Sequence, residues 1–125
     1  MAYRSDVKIL MGEKAYELLK NNCLKSDKDY VREMVEKPSW FEKNDDNSVL
    51  IGWSYVKWYS NYEDVKAVEL TLRELDGIIE EDESKLDDYF YKKIEIGEDN
   101  RTEESTNDYG DEFVSDFYVE CDFSI

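Results

Sequence analysis

The stretch IGWSYVKWYSNYEDVKAVELTLRELDG, residues 51–77, joins a strand-like pattern directly to a helical one. Its first part is rich in aromatic and β-branched side chains, which suit the pleated surface of a sheet. Its second part repeats apolar residues at spacings of three and four, at Val65, Val68 and Leu72, as an amphipathic helix does. The stretch therefore predicts a strand followed by a helix, and a fold that contains both.

The predicted strand, residues 49–59, is apolar on both of its faces. Such a strand is usually interior in its sheet or covered on both sides. Ser60 and Glu63 have the spacing of a capping box, which predicts that the helix begins there, and it is expected to end near Gly77. The aromatic side chains at this junction are expected to pack in the core, with a binding surface as the alternative.

Outward from this stretch, the periodicity predicts three more strands and two more helices. The strands are residues 3–11, 89–96 and 112–125, and the helices are residues 13–23 and 27–36. Residues 112–125 alternate strictly between apolar and polar, which favours an antiparallel sheet with one buried face. A long hydrophilic connection is expected at residues 97–111. The predicted fold class is α+β, a single domain of residues 1–125 in the order β-α(α)-β-α-β-β, with two or three helices on one face of a four-stranded, mostly antiparallel sheet.

Composition limits the kinds of protein that this chain can be. It has 125 residues, the size of one domain, and 41% of them are hydrophobic, which is enough to build a core. Its formal net charge of −16 repels nucleic acids and membranes and attracts basic surfaces. No apolar run approaches the length of a transmembrane helix, and the start of the chain lacks the pattern of a signal peptide. A cytoplasmic protein that binds neither membranes nor nucleic acid directly is therefore expected.

The negative charge is concentrated in the second part of the chain. Residues 1–75 contain 14 acidic and 12 basic side chains, whereas residues 76–125 contain 18 acidic and 4 basic ones. This acidic half, residues 76–125, has a net charge of −14 and carries nearly all of the excess. Such an asymmetry favours a partner of the opposite charge.

Side chains that carry common enzyme chemistry are missing or isolated. The chain has no histidine, and so lacks the commonest general base and transition-metal ligand. Its five glycines form no phosphate-binding loop, and Cys23 and Cys121 are predicted to be buried thiols. A non-enzymatic role without cofactor or metal is expected. A calcium site is the alternative to a solvated loop at Asp99, Asn100, Glu103, Asn107 and Asp108.

Rows of carboxylates on a folded surface can imitate the phosphates of DNA or RNA and occupy a basic groove. Side chains two positions apart on one face of a strand are about 6.5–7 Å apart, which is similar to the spacing of successive phosphates. We expect a partner-binding surface of this kind in the acidic half, and the alternative is that the charge serves solubility alone. The candidate residues are Glu80, Glu81, Asp82, Glu83, Asp87, Asp88, Glu98, Asp99, Glu103, Glu104, Asp108, Asp111, Asp116, Glu120 and Asp122.

Three segments resemble a group of small acidic bacteriophage and prophage proteins that has no assigned function. They are MAYRSDV at residues 1–7, GWSYVKWY at residues 52–59 and YKKIEIGED at residues 91–99. Small acidic phage proteins often block a host defence system, with anti-CRISPR proteins as the best-known class. By this analogy the resemblance implies an inhibitor in the bacterial cytoplasm that binds a basic host protein, such as a CRISPR-associated or other defence nuclease. The expected aromatic anchors are Tyr89, Tyr109 and Tyr118.

A second functional hypothesis is a module that sequesters a nucleotide signalling molecule. In it the aromatic cluster of Trp53, Tyr55 and Trp58 stacks on a base. The cations that are available for phosphates are Arg4, Lys57, Arg73, Lys92 and Lys93. The sequence leaves the oligomeric state open, and a homo-oligomer is compatible with it.

Overall fold

Residues 4–108, the part of the chain that a computed structural model describes, form five strands and four α-helices. The strands are β1 (Ser5–Met11), β2 (Trp40–Lys43), β3 (Val49–Val56), β4 (Tyr91–Gly97) and β5 (Thr102–Thr106). The helices are α1 (Glu13–Leu24), α2 (Asp29–Glu36), α3 (Glu63–Glu81) and the short α4 (Leu86–Tyr89), which a 3₁₀ turn (Glu83–Lys85) joins to α3. The predicted α+β class is confirmed.

The five strands form one antiparallel sheet in the order β2-β3-β1-β4-β5. The prediction of four strands is wrong in detail, because β2 and β5 arise from segments that were not predicted to be strands. β5 lies within residues 97–111, and its sequence TEEST contains no apolar side chain that could signal a strand. It forms because its backbone pairs with β4 along its whole length. The predicted strand at residues 112–125 lies outside the described residues.

The main core lies between one face of the sheet and helices α1, α2 and α3. Val7, Ile9 and Met11 of β1 point to this face, as their alternation predicts. Leu19 of α1 and Leu72 of α3 belong to the same buried cluster. The prediction that helices pack on one face is therefore confirmed for α1 to α3.

The opposite face of the sheet carries a smaller apolar cluster of Leu10, Leu50 and Ile94. Lys8 is buried on this face as well, and its Nζ lies 4.4 Å from the centre of the Trp40 ring, a cation–π contact. Strand β3, which pairs with both β2 and β1, is interior, as its two apolar faces predict.

The aromatic residues at the end of β3 divide between the core and the surface. Trp53 is buried, and its indole N–H donates a hydrogen bond of 2.9 Å to the carbonyl oxygen of Met34. Trp58 stacks on Trp53 with 5.4 Å between ring centroids and is buried too. The expected packing in the core is confirmed for these two residues, whereas Tyr55 is 62% exposed.

Helix α3 begins and ends later than the sequence predicts. The capping box expected at Ser60 does not form, and the residue before the helix is Tyr62, whose side chain makes no capping hydrogen bond. The helix continues through Gly77 to Glu81. It continues because Ile79, on the next turn, is buried against the rest of the protein, and this burial outweighs the low helix propensity of one glycine.

Replacing Gly77 by alanine is expected to raise the free energy of unfolding by about 0.5–1 kcal/mol. Gly77 lies inside α3, and a Cβ atom there would meet no other atom within 4 Å. The alanine methyl therefore adds helix propensity without a clash. Urea denaturation of the wild type and the variant measures the difference, and a decrease in stability would contradict the placement of Gly77 in an open position of the helix.

Cys23 is a fully buried free thiol, as predicted. Its burial, and then the negative charge of Asp64, raises the pKa of the thiol to about 11. The thiolate is therefore scarce at neutral pH, and Cys23 has the character of a core residue rather than a nucleophile. Cys121 lies outside the described residues.

Candidate functional site

Exposed carboxylates follow one edge of the described sheet. Some lie in the turn between β4 and β5, others on β5, which is the last strand in the order, and others on α4, which directly precedes β4. All of them are exposed except Asp108, which is half-buried. We call this surface the acidic edge, and it consists of Asp87, Asp88, Glu98, Asp99, Glu103, Glu104 and Asp108.

Strand pairing fixes the directions of the two carboxylates on β5. Glu103 lies opposite Glu95, on the side of the sheet that faces the helices, and Glu104 lies opposite Ile94, on the other side. The acidic edge therefore carries charge on both sides of the strand, and not on one face as the phosphate-like spacing predicts. It follows the whole length of β4, about 20 Å at the usual rise of a strand.

Asn107 joins the end of β5 to α3 and α4. Its side chain is buried and accepts a hydrogen bond of 2.9 Å from the backbone N–H of Tyr91. Its amide nitrogen donates to the carbonyl oxygens of Tyr89 at 3.0 Å and Leu75 at 3.5 Å. These bonds hold Asp108 beside α4, so the two parts of the acidic edge are fixed to each other. The sequence indicated Asn107 only as an alternative calcium ligand, and nothing in the local pattern predicts this role.

The remaining acidic candidates among the described residues lie around the C-terminal end of α3. Glu80, Glu81 and Glu83 are exposed there, close to the negative pole of the helix dipole, where carboxylates are unfavourable. Asp82 accepts hydrogen bonds from the backbone N–H and the hydroxyl of Ser84, at 3.0 and 2.6 Å. The bonds from the hydroxyl and the N–H lower the pKa of Asp82, which therefore caps the 3₁₀ turn in its charged form.

Several predicted residues lie outside the described part of the chain. They are Asp111, Asp116, Glu120 and Asp122, together with the expected anchors Tyr109 and Tyr118. The third expected anchor, Tyr89, is half-buried against the main core, and the Nζ of Lys14 lies 6.0 Å from the centre of its ring. Tyr89 therefore offers only part of its ring to a partner.

A more exposed aromatic side chain, Tyr55, lies next to the acidic edge. The guanidinium of Arg4 donates a hydrogen bond of 3.2 Å to the carbonyl oxygen of Tyr55. The backbone N–H of Arg4 donates to the carboxylate of Glu98 at 2.8 Å. The sequence predicts that Tyr55 packs mainly in the core. It is exposed because the pairing of β3 with β1 shifts register at this point, which the sequence of β3 does not reveal.

Lys93 forms a buried polar cluster on the core side of β4. Its Nζ lies 2.8 Å from a carboxylate oxygen of Glu69 and 3.7 Å from one of Glu95. Glu69 also accepts a hydrogen bond of 2.9 Å from the indole N–H of Trp58. Burial raises the pKa of the Glu95 carboxyl above its usual value, and the positive charge of Lys93 offsets this only in part.

The nucleotide site that the sequence suggests is not assembled as expected. Trp53 and Trp58 are buried and stack on each other. Lys93 forms ion pairs with Glu69 and Glu95. Of the predicted stacking residues, only Tyr55 is exposed.

Within residues 4–108, no group of three or more acidic or cysteine side chains is arranged to hold a metal ion. In the same range, no helix combines the length and the apolar character needed to cross a membrane.

No protein-family model matches the chain, and neither the curated proteins nor the solved structures include one that is significantly similar to it. The function must therefore be inferred from the geometry and charge of the side chains themselves.

Proposed function

We propose that the protein is a non-enzymatic binding protein whose acidic edge docks onto the basic surface of a nucleic-acid-binding protein. The observation that carries the proposal is the alignment of exposed carboxylates along β5 and α4. Asp87, Glu103 and Glu104 have no ion-pair partner among residues 4–108. Their charge is therefore available to a partner and is not used to stabilise the fold.

The backbone of the acidic edge is held in place before any partner binds. β5 is paired with β4 in five consecutive positions, and Asn107 connects its end to α3 and α4. A fixed array of charges loses less conformational entropy on binding than a flexible acidic tail. Such an array can steer a basic groove and fix its orientation.

The position of the acidic residues at the C-terminal end of α3 also supports the proposal, because carboxylates there lower the stability of the helix. Glu80, Glu81 and Glu83 lie where the helix dipole disfavours negative charge. Solubility alone would be served equally well by carboxylates at the start of a helix, where they also stabilise it. This placement favours a role in binding over the alternative that the charge serves only solubility.

The most specific version of the proposal is an anti-defence protein of a phage or prophage that acts in the bacterial cytoplasm. It is supported by the resemblance of three segments to small acidic phage proteins. The partner is then a basic host protein such as a CRISPR-associated or other defence nuclease, and the protein inhibits it by occupying its nucleic-acid groove.

Neutralising three carboxylates of the acidic edge is expected to weaken binding to the partner about tenfold or more. The variant combines Asp87→Asn, Glu103→Gln and Glu104→Gln, all at exposed positions. The partner is captured from host extract with the wild-type protein, identified and purified. Its dissociation constant is then measured between 50 and 500 mM NaCl, where screening should weaken the wild-type complex steeply.

A matched control removes the same amount of charge elsewhere. Glu36→Gln, Glu42→Gln and Asp45→Asn change exposed residues that are not part of the acidic edge. We expect this control to bind within about twofold of the wild type. Equal weakening by both triple variants, or a wild-type affinity that does not change with salt, would contradict the proposal.

A further inference from the structure

Tyr55 adopts a backbone conformation that aromatic residues rarely take. Its φ angle is 55°, in the left-handed region, which a bulky side chain disfavours. Packing does not explain the conformation, because 62% of the residue is exposed. Strained residues of this kind persist where surrounding contacts hold them, and they cluster at binding sites.

A β-bulge produces the strain. Ser5 pairs with Val56 and Val7 pairs with Trp53, so Asp6 alone lies opposite the two residues Ser54 and Tyr55. Bulges of two residues against one redirect a side chain, and they are enriched beside functional sites. The position would be unstrained with glycine, yet the chain has a tyrosine there.

Three contacts hold the tyrosine in this conformation. The carboxylate of Asp6 accepts a hydrogen bond of 2.8 Å from the Tyr55 backbone N–H. Arg4 donates to the Tyr55 carbonyl oxygen at 3.2 Å, and its guanidinium lies 5.0 Å from the centre of the ring. The backbone is therefore pinned on both sides of Tyr55, and the ring stays exposed beside a cation.

Tyr55 and Tyr62 line the same small cavity, of 280 Å³. Met34, Val56 and Val65 give it apolar lining. Its volume is close to the lower limit of ligand pockets, roughly 300 Å³, so one planar ring system fits better than two. Aromatic side chains and an apolar lining are what a nucleobase stacks on.

Two cations lie at this cavity. They are Arg4 and Lys57, and Lys57 has no ion-pair partner among residues 4–108. Asp64 also lines the cavity, and its carboxylate accepts a hydrogen bond of 2.9 Å from the backbone N–H of Val65. One carboxylate beside two cations favours a ligand with a single phosphate over a triphosphate. The −16 charge of the whole chain disfavours a nucleic-acid strand.

We propose that the cavity between Tyr55 and Tyr62 binds a nucleoside monophosphate. The base stacks on the exposed tyrosine rings, and the phosphate is bound by Lys57 and Arg4. This cavity adjoins the acidic edge through Arg4, whose backbone N–H is bonded to Glu98, but no carboxylate of the acidic edge lines it. The proposal does not depend on the proposed function. The cavity overlaps only in part with the nucleotide site that the sequence suggests. Trp58 lines the cavity but is buried, Trp53 and Lys93 do not line it, and Tyr62 is added.

Calorimetric titration of the intact protein with AMP, GMP, CMP and UMP tests the proposal. The Tyr55→Gly variant removes the ring and relieves the backbone strain, so its melting temperature should be unchanged or higher than that of the wild type. Its affinity for the monophosphate that binds best should fall about tenfold or more. Tyr30→Ala removes another exposed tyrosine, on α2, and should leave the affinity unchanged.

Titrations with the nucleoside and with inorganic phosphate show which part of the ligand is recognised. The matching nucleoside should bind more weakly than its monophosphate, and Lys57→Met should remove this difference. Each of the following results would overturn the proposal: no binding of any monophosphate at millimolar concentration, equal binding of inorganic phosphate alone, or full affinity in Tyr55→Gly. Tighter binding of a short single-stranded oligonucleotide than of any monophosphate would overturn it as well, in favour of a nucleic-acid strand.

Discussion

Replacing Lys93 by methionine is expected to lower the free energy of unfolding by about 3 kcal/mol at pH 7.5. Methionine keeps the length and the apolar part of the side chain but removes its charge. Lys93 is only 8% exposed in its side chain, and its Nζ lies between Glu69 and Glu95. Without the cation, two carboxylates are left close together in a partly buried site, and their repulsion and desolvation oppose folding.

The loss of stability should depend on pH in a defined direction. Burial raises the pKa of Glu95 in the native state, and Lys93 is the main group that lowers it again. Removing Lys93 therefore raises this pKa further. A carboxyl with a raised native pKa contributes stability at low pH, and this contribution is lost as the pH rises through the native pKa. The Lys93→Met variant should thus be most destabilised above neutral pH and should recover part of its stability towards pH 5.

Urea denaturation at pH 7.5 and pH 5 measures both effects. Lys20→Met is the matched control, because Lys20 is exposed on α1 and loses the same charge. Adding Glu69→Gln and Glu95→Gln to the Lys93→Met variant removes the repelling carboxylates and should restore a large part of the stability at pH 7.5. A loss no greater than that of Lys20→Met, or a loss that grows on acidification, would refute this account of the cluster.

Replacing Gly12 by alanine is expected to cost about 2–3 kcal/mol of stability, the scale of overpacking in a closely packed site. A Cβ atom on Gly12 would lie 2.5 Å from the backbone carbonyl oxygen of Asp88 and 2.8 Å from that of Asp87. Backbone atoms cannot rotate away as the end of a long side chain can. The backbone N–H of Gly12 also donates to the carbonyl oxygen of Phe90 at 3.0 Å, so the added methyl would push against a segment that this bond holds in place.

Gly12→Ala also tests whether partner binding depends on the position of α4. It leaves every charge in place but displaces α4, which carries Asp87 and Asp88. If the acidic edge binds as a fixed array, Gly12→Ala should also weaken binding to the partner, whereas Gly77→Ala should not. Denaturation and the partner titration measure the two consequences separately. Unchanged stability in Gly12→Ala would show that α4 does not pack on this turn as described.

The elements with local signals follow from residue types and their spacing alone. Period-two alternation identified β1, and the two apolar faces of residues 49–59 identified an interior strand. Apolar spacing identified α1, α2 and α3. The net charge of −14 in residues 76–125 also follows from the sequence alone, and it led to the residues of the acidic edge. These features depend only on residue types and their spacing.

Other features depend on contacts with residues far away in the chain. β5 has no apolar pattern and is a strand only because β4 offers it backbone hydrogen bonds. Tyr55 is exposed because a bulge against β1 reverses its direction, and Lys93 is buried because Glu69 of α3 neutralises it. In each case the deciding energy comes from one contact between distant segments, a backbone pairing or a charge pair. Periodicity along the chain contains no information about such contacts.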